Sequence, residues 1–308
     1  MPNRISIIFT GAFKNCNSLK YNVYGNLNYL GNSENPYVAI VGVADPSATS
    51  ITVHEDAKAI YVSSIANMNN LSEIFFNATE MNDLPDGYTV FSGSGSSAGV
   101  IMTISENVKR IPAYLCYMGY GYSFNLTSIV FEGNSKCEYI GSNAFAYTKI
   151  TTLDLPNTIR DLGIGAFNSC AQLSSANIPT GLTTVPQAMF SGCSSLASLV
   201  IPDGITEIGQ AAFSNCSSLT LVVIPEGVTT IGRSAFSDCS KLKEIVIPST
   251  VTTIADFAFY DTTLMTVYFG GTQDQWNAIS FGSYSNVYSV TKRYKGQWEM
   301  VQGVPTKK

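Results

Sequence analysis

The stretch Ile208-Gly209-Gln210-Ala211-Ala212-Phe213-Ser214-Asn215-Cys216-Ser217-Ser218-Leu219-Thr220-Leu221-Val222-Val223-Ile224-Pro225 decides the fold, because its spelling returns along the chain. The tripeptide ending in Phe213 has counterparts ending in Phe145, Phe167, Phe190, Phe236 and Phe259, at spacings of 22, 23, 23, 23 and 23 residues. Five residues before each Phe stands an aliphatic: Ile140, Leu162, Val185, Ile208, Ile231 and Ile254. Three after it comes Cys in four consecutive copies (Cys170, Cys193, Cys216, Cys239), and six after it Leu173, Leu196, Leu219 and Leu242. Each of those four copies closes on Ile-Pro: Ile178-Pro179, Ile201-Pro202, Ile224-Pro225 and Ile247-Pro248. Self-similarity at a period of this size marks a stacked-repeat architecture.

Each unit reads as one coil. The alternations Leu199-x-Ile201, Val222-x-Ile224 and Ile245-x-Ile247 predict short strands of period two. The following Pro has no N–H for a ladder and ends the strand. Gly209 and Gly232 are expected to supply one turn, Asp203-Gly204 and Glu226-Gly227 another. One such unit cannot close a core. Stacking units about 4.8 Å apart pairs the strands in parallel and packs the Ile, Phe, Cys and Leu columns on themselves. The expected fold is a repeat solenoid, mainly β with turns, with a parallel sheet on one face, about 23 residues per coil and roughly ten coils.

The frame continues upstream in looser spelling. Ala57, Ile60, Ile65, Met68, Leu71, Ile74 and Phe76 fit the interior positions of one coil, and Val108, Ile111 and Cys116 those of another. An insertion at Gly119-Tyr120-Gly121-Tyr122 follows, after which Leu126, Ile129 and Phe131 resume the pattern. Gly11-Ala12-Phe13, Cys16 and Leu19 make a half-repeat at the start. The expected layout is a single solenoid over residues 1–269: an insertion at 20–50, degenerate coils at 51–131 and regular coils at 132–269. Residues 270–308 form a capping segment and tail. The insertion is expected to be a hairpin, with Tyr21, Val23, Leu27, Tyr29 and Leu30 on one strand and Tyr37, Val38, Ile40, Val41 and Val43 on the other. The turn Gly31 to Pro36 joins them, and the hairpin should lie against the neighbouring coils.

The unit Ile208-Gly209-x-x-Ala212-Phe213-x-x-Cys216-x-x-Leu219-x-x-Val222-x-Ile224-Pro225 resembles the BspA-type (Treponema-type) leucine-rich repeat of bacterial surface proteins. The resemblance is strict from Tyr139 to Phe269 and looser from Gly11. Two further segments, Lys20 to Val38 and Gly270-Gly271-Thr272-Gln273-Asp274-Gln275-Trp276-Asn277-Ala278-Ile279, are similar to segments of the same family. The second resembles the piece that closes such arrays. The resemblance implies a curved solenoid with a parallel sheet on one face. It also implies secretion or surface attachment, and a role in adhesion and protein binding. The chain departs from the pattern where Cys116 replaces Phe and Cys137 replaces the aliphatic, which implies looser packing in the first half.

Composition narrows the function. Of 308 residues only 13% are charged, about half the ~25% of an ordinary soluble domain, so the surface is built from hydroxyls and amides. A net charge of −5 with only 17 Lys and Arg argues against nucleic acid and anionic lipid as partners. A hydrophobic fraction of 45%, with 16 Phe and 17 Tyr, argues against intrinsic disorder. No apolar run is long enough to span a bilayer. Met1-Pro2-Asn3-Arg4 followed by Ile5 to Phe9 is too short for a signal-peptide core, so either the protein is not exported or the chain is a piece of a longer exported protein, and the resemblance favours the second.

No active site is legible. The seven Cys show no pair at zinc-ligand spacing, and four recur at coil spacing, as a column of buried thiols would. His54 is the sole histidine, and His54-Glu55-Asp56 sits where the repeat places a polar turn. Gly93-Ser94-Gly95-Ser96-Ser97-Ala98-Gly99 lacks the Lys-[Ser/Thr] ending of a phosphate loop and reads as a flexible connection between coils. The expectation is therefore no catalytic residue, no cofactor and no metal.

The strand faces carry more. Residues between interior positions point to solvent: Ser198/Val200, Leu221/Val223, Glu244/Val246 and Thr266/Tyr268, and upstream Glu73/Phe75, Ser128/Val130 and Thr152/Asp154. Val200, Leu221, Val223, Glu244, Val246 and Tyr268 are the candidate protein-binding face. Strand propensity alone also accounts for the valines, whereas a contiguous exposed apolar patch marks a partner. The functional expectation is a monomeric, non-enzymatic cell-surface or secreted module that binds a protein or other extracellular macromolecule. A passive spacer and a non-catalytic arm of a larger secreted enzyme are the alternatives.

Overall fold

A computed structural model describes residues 19–119, 122–287 and 290–308. The half-repeat around Phe13 and Cys16, and Tyr120-Gly121 of the insertion, lie outside the described residues. Among the described residues the fold is a β-solenoid of about 11 turns, with parallel sheets and one short helix. The chain divides into two compact units, one ending at Cys170 and the other running from Ala171 to Lys308.

In the second unit the repeat positions build the core as spelled. Phe190, Phe213, Phe236 and Phe259 are fully buried, as are Cys193, Cys216, Cys239, Leu196, Leu219 and Leu242. The Phe rings stack rung on rung, at 6.1, 5.3 and 5.5 Å between centroids. Two parallel sheets run along the stack. One holds Thr184–Val185, Glu207–Ile208, Thr230–Ile231, Thr253–Ile254 and Ser280–Phe281, and the other Leu221–Val223, Glu244–Ile247, Thr266–Phe269 and Thr291–Arg293.

The turn chemistry differs from expectation. Gly204 and Gly227 do take positive φ, at 91° and 98°. Gly209 and Gly232 do not make their turns by positive φ. A Cβ on Gly209 would lie 2.6 Å from the Val185 carbonyl oxygen, and one on Gly232 2.7 Å from that of Ile208, so these glycines let adjacent coils approach closely. The left-handed residues sit two before and two after each Phe: Ala211 and Asn215 around Phe213 (φ 52° and 60°), Ser234 and Asp238 around Phe236 (φ 53° and 59°). That geometry costs non-glycine residues about 1–2 kcal/mol each. It is offset by aiming alternate amides at the next coil: Ala211 N–H to Arg233 O, Phe213 N–H to Ala235 O and Asn215 N–H to Ser237 O, at 2.8–2.9 Å. The expected strand at Leu199–Ile201 does not form: no ladder passes through it, and Leu199 is only half-buried.

After Phe269 the chain makes the short helix Gln273–Asn277. Its N-cap Thr272 accepts from Gln275 N–H, and the Gln275 side chain caps Thr272 in return. The helix seats buried Trp276 edge-on against Phe269, at 5.2 Å. The hairpin Trp298–Val301 with Val304–Lys307 ends the unit.

In the first unit, Ser50–Val53, Glu73–Phe76, Val100–Ile104 and Leu126–Phe131 form a parallel sheet, with Ile51, Ile74, Met102 and Ile129 in register and buried. Ala57, Ile60, Ile65, Met68 and Leu71 are buried as the frame predicts, while Phe131 is only half-buried. Cys116 and Cys137 are fully buried in their substituted positions. The insertion has three antiparallel strands in place of the expected two. Gly25 and Asn26, at φ 52° and 64°, break the first into Asn22–Tyr24 and Leu27–Leu30, the turn geometry that suits a two-residue hairpin. Its third strand, Ala39–Val43, pairs in parallel with Ala59–Ile60, which docks the excursion on the coil that follows.

Candidate functional site

On the outer face of the second unit's sheet the register makes two columns. Leu221, Glu244, Thr266 and Thr291 stand in one; Val223, Val246, Tyr268 and Arg293 in the other. The structure thus brings together five of the six sequence candidates. It does not leave them equally exposed. Leu221, Val223 and Glu244 are half-buried, whereas Val246 and Tyr268 are each only 6% exposed, so these two are not the open anchors expected. The cause is cover from far along the chain. Trp298 packs its ring against Tyr268 at 5.6 Å and donates its Nε1–H to the Phe269 carbonyl at 3.2 Å. The large Tyr268 ring then stands beside the smaller Val246. Tyr268 also donates to Glu244 Oε1 at 3.1 Å, and burial together with that carboxylate raises its hydroxyl above the ordinary phenol range. Val200 is 80% exposed but belongs to no ladder, so it lies off the sheet face.

A groove of about 290 Å³ runs beside the first column, lined by Thr220, Leu221, Lys243, Glu244, Met265 and Thr266. Met265 is 63% exposed and was missed in the sequence because it precedes the strand rather than alternating within it. In the groove the rung that carries Lys243 and Glu244 lies between the rung of Leu221 and the rung of Met265, so an ammonium and a carboxylate separate two apolar side chains. In the first unit the corresponding face exposes Phe75, Ile101 and Val130. Ile101 escaped the repeat frame because the Gly93–Gly99 insertion shifts its coil: Ile74 pairs with Met102, 28 residues on.

The remaining sequence candidates resolve into structure. The thiols of Cys170, Cys216 and Cys239 donate to the carbonyls of Phe145, Phe190 and Phe213 at 3.1–3.2 Å. Burial pushes Cys170 and Cys239 up to about 12 and Cys216 well above its ordinary value, so none is a ready nucleophile. The Gly93–Gly99 segment is stitched down rather than flexible. Its Gly93, Gly95 and Ser96 amides donate to Ser123, Met68 and Leu71 carbonyls, and buried Ser94 donates its hydroxyl to Ile65 O at 2.6 Å. Those amides are not available to a phosphate. His54 is half-buried and stacked on Tyr37, 4.0 Å between ring centroids. Among the described residues, no three His, Cys, Asp or Glu side chains converge as a cation site, and no helix is long and apolar enough to cross a membrane.

The family model described as BspA type leucine rich repeat region (6 copies) matches over residues 43–174, 114–241 and 160–288. Among solved structures, a leucine-rich repeat protein from Bacteroides ovatus is similar at 20% identity and a TM-score of 0.57, over 90% of this chain and 79% of that one. A leucine-rich repeat protein from Eubacterium ventriosum is similar at 23% identity and a TM-score of 0.53, over 75% of this chain and 64% of that one. A leucine rich cell surface protein from Faecalibacterium prausnitzii aligns at 20% identity and a TM-score of 0.34, over 85% of this chain and 98% of that one. A search of curated proteins finds no match.

Proposed function

The chain belongs to the BspA-type leucine-rich repeat family, and from that membership we propose that it is a non-enzymatic cell-surface or secreted module. It binds a protein or other extracellular macromolecule through the sheet face of its second unit. The observation that carries this reading is the groove in which Leu221 and exposed Met265 flank the rung of Lys243 and Glu244. The two apolar side chains can anchor a partner, and the charged pair between them can orient it. Lys243 and Glu244 are of opposite sign and nearly cancel at a distance, so binding depends only mildly on salt. The test is to change Leu221 and Met265 to Lys and measure affinity for a partner captured by the unmodified protein. Loss of a central anchor costs about 2 kcal/mol or more, so binding should weaken about thirtyfold. Unchanged affinity in a correctly folded variant moves the site off this face. Retention of no partner favours a passive spacer.

A further inference from the structure

The edge of the first unit's parallel sheet carries a second, chemically different cleft. Val53 lies opposite Phe76, and Phe76 opposite Ile104, so the residue after each strand falls at the same place on successive rungs. Those residues are His54, Asn77 and Ser105. Tyr24 arrives from the antiparallel insertion, which is tied to the same rung by the Thr52 N–H donating to Gly25 O at 2.8 Å. With Glu55 and Asn107 they line a cleft of about 270 Å³.

His54 is held in place, and hydrogen-bonding capacity in the cleft is left over. His54 Nδ1 accepts the Asp56 N–H at 3.1 Å, so the neutral ring carries its proton on Nε2 as a donor. Stacking on Tyr37 and an edge contact with Tyr24, at 4.7 Å and 77°, hold the ring in place. Among the described residues, the side chains of Asn77, Ser105 and Glu55 have no hydrogen-bond partner, although Asn77 and Ser105 are half-buried. Asn107 spends its Oδ1 on the Lys136 ammonium at 2.7 Å and keeps its two amide hydrogens. Tyr24, 39% exposed, supplies the aromatic surface.

We propose that this cleft binds a neutral oligosaccharide. Donors and acceptors mixed within one small cleft suit hydroxyl groups, each of which is both, and the Tyr24 ring suits the apolar C–H face of a pyranose. The lining itself holds one carboxylate and no Lys or Arg, and the neighbouring Lys136 ammonium is engaged by Asn107 Oδ1, which disfavours phosphate, sulfate and uronate. It holds no aliphatic pocket for a peptide anchor. The rungs repeat about every 4.8 Å, comparable with the advance of a linear glycan per sugar, so His54, Asn77 and Ser105 address successive sugars of one chain.

His54 is the only histidine in the sequence, so its imidazole Cε1–H NMR resonance reports on this cleft alone in tag-free protein. Titration with cellohexaose, xylohexaose and mannohexaose should shift it saturably for at least one of the three. The matching disaccharide should bind about tenfold or more weaker, since it forgoes at least one rung's hydrogen bonds. Hexagalacturonate should not compete. Asn77→Ala and Tyr24→Ala should each weaken binding about tenfold. The Asn77 variant should keep the parent's thermal midpoint, because that amide supports nothing else. No shift with any of the three hexasaccharides at millimolar concentration overturns the proposal. So does preferential binding of hexagalacturonate, or parental affinity in a folded Asn77→Ala protein.

Discussion

Replacing Phe213 by alanine should destabilise the second unit by about 4–5 kcal/mol, the upper part of the ~3–5 kcal/mol span for a buried Phe. The upper part applies because Phe213 is fully buried and stacked on both sides, 6.1 Å from Phe190 and 5.3 Å from Phe236, with interplanar angles of 21° and 13°. Each such pair is worth about 0.5–1.5 kcal/mol beyond the area it hides. The site cannot collapse to fill the void. Phe213's own amide is held to Ala235 O at 2.9 Å, and Phe190's to Ala212 O at the same distance, so the backbone on both sides is pinned. The assay is urea unfolding followed by circular dichroism, comparing midpoints and slopes with the parent. Phe213→Leu, which retains part of the packing, should lose distinctly less. Phe75→Ala, on the exposed sheet face of the other unit, should stay within about 0.5 kcal/mol. In a double-mutant cycle, Phe213→Ala and Phe236→Ala should couple by about 0.5–1.5 kcal/mol. A loss below about 1 kcal/mol for Phe213→Ala, or strict additivity with Phe236→Ala, refutes the stacked-column account.

Cys170, Cys216 and Cys239 should label slowly with a thiol reagent in native buffer, and rapid labelling would contradict their burial. Because their folded pKa values lie above the ordinary 9.0, their contribution is fully present below pH 9 and is lost as pH rises towards about 12; the urea midpoint should fall through that window, and less steeply in a triple Cys→Ala variant. Trp298→Ala should uncover Tyr268, read as increased acylation of the Tyr268 peptide by mass spectrometry, while unaltered protection would show that some other segment covers it. Gly25→Ala should cost more than Gly87→Ala as measured by thermal unfolding. Both have positive φ, but a Cβ on Gly25 meets Thr52 O at 2.3 Å, whereas one on Gly87 meets nothing within 4 Å.

The sequence by itself determined the core. In a stacked-repeat fold each coil touches its neighbours at equivalent positions, so residues that recur in phase, such as Phe213, Cys216, Leu219 and Ile224, must fill the same interior slots, and all four are buried. The slots of the irregular coil around Ile65 and Met68 were legible for the same reason. Where local spelling allows two geometries, only the structure chose. Gly209 reads as a turn glycine, yet it serves close approach, because the bend is made by left-handed Ala211 and Asn215. Leu199-x-Ile201 alternates like its neighbours but finds no ladder. The surface was decided by tertiary structure. Alternation puts Val246 and Tyr268 on the outer face, but nothing local reveals that Trp298, 30 residues beyond Tyr268, folds back over that ring. Likewise His54, Asn77 and Ser105 are spaced unevenly, 23 and 28 residues apart, and share one edge only because the insertion before Val100 is absorbed without loss of strand register. Interior positions repeat because each is satisfied by the same neighbour one rung away; exposure depends on whichever distant segment comes to rest on it, and that leaves no period to read.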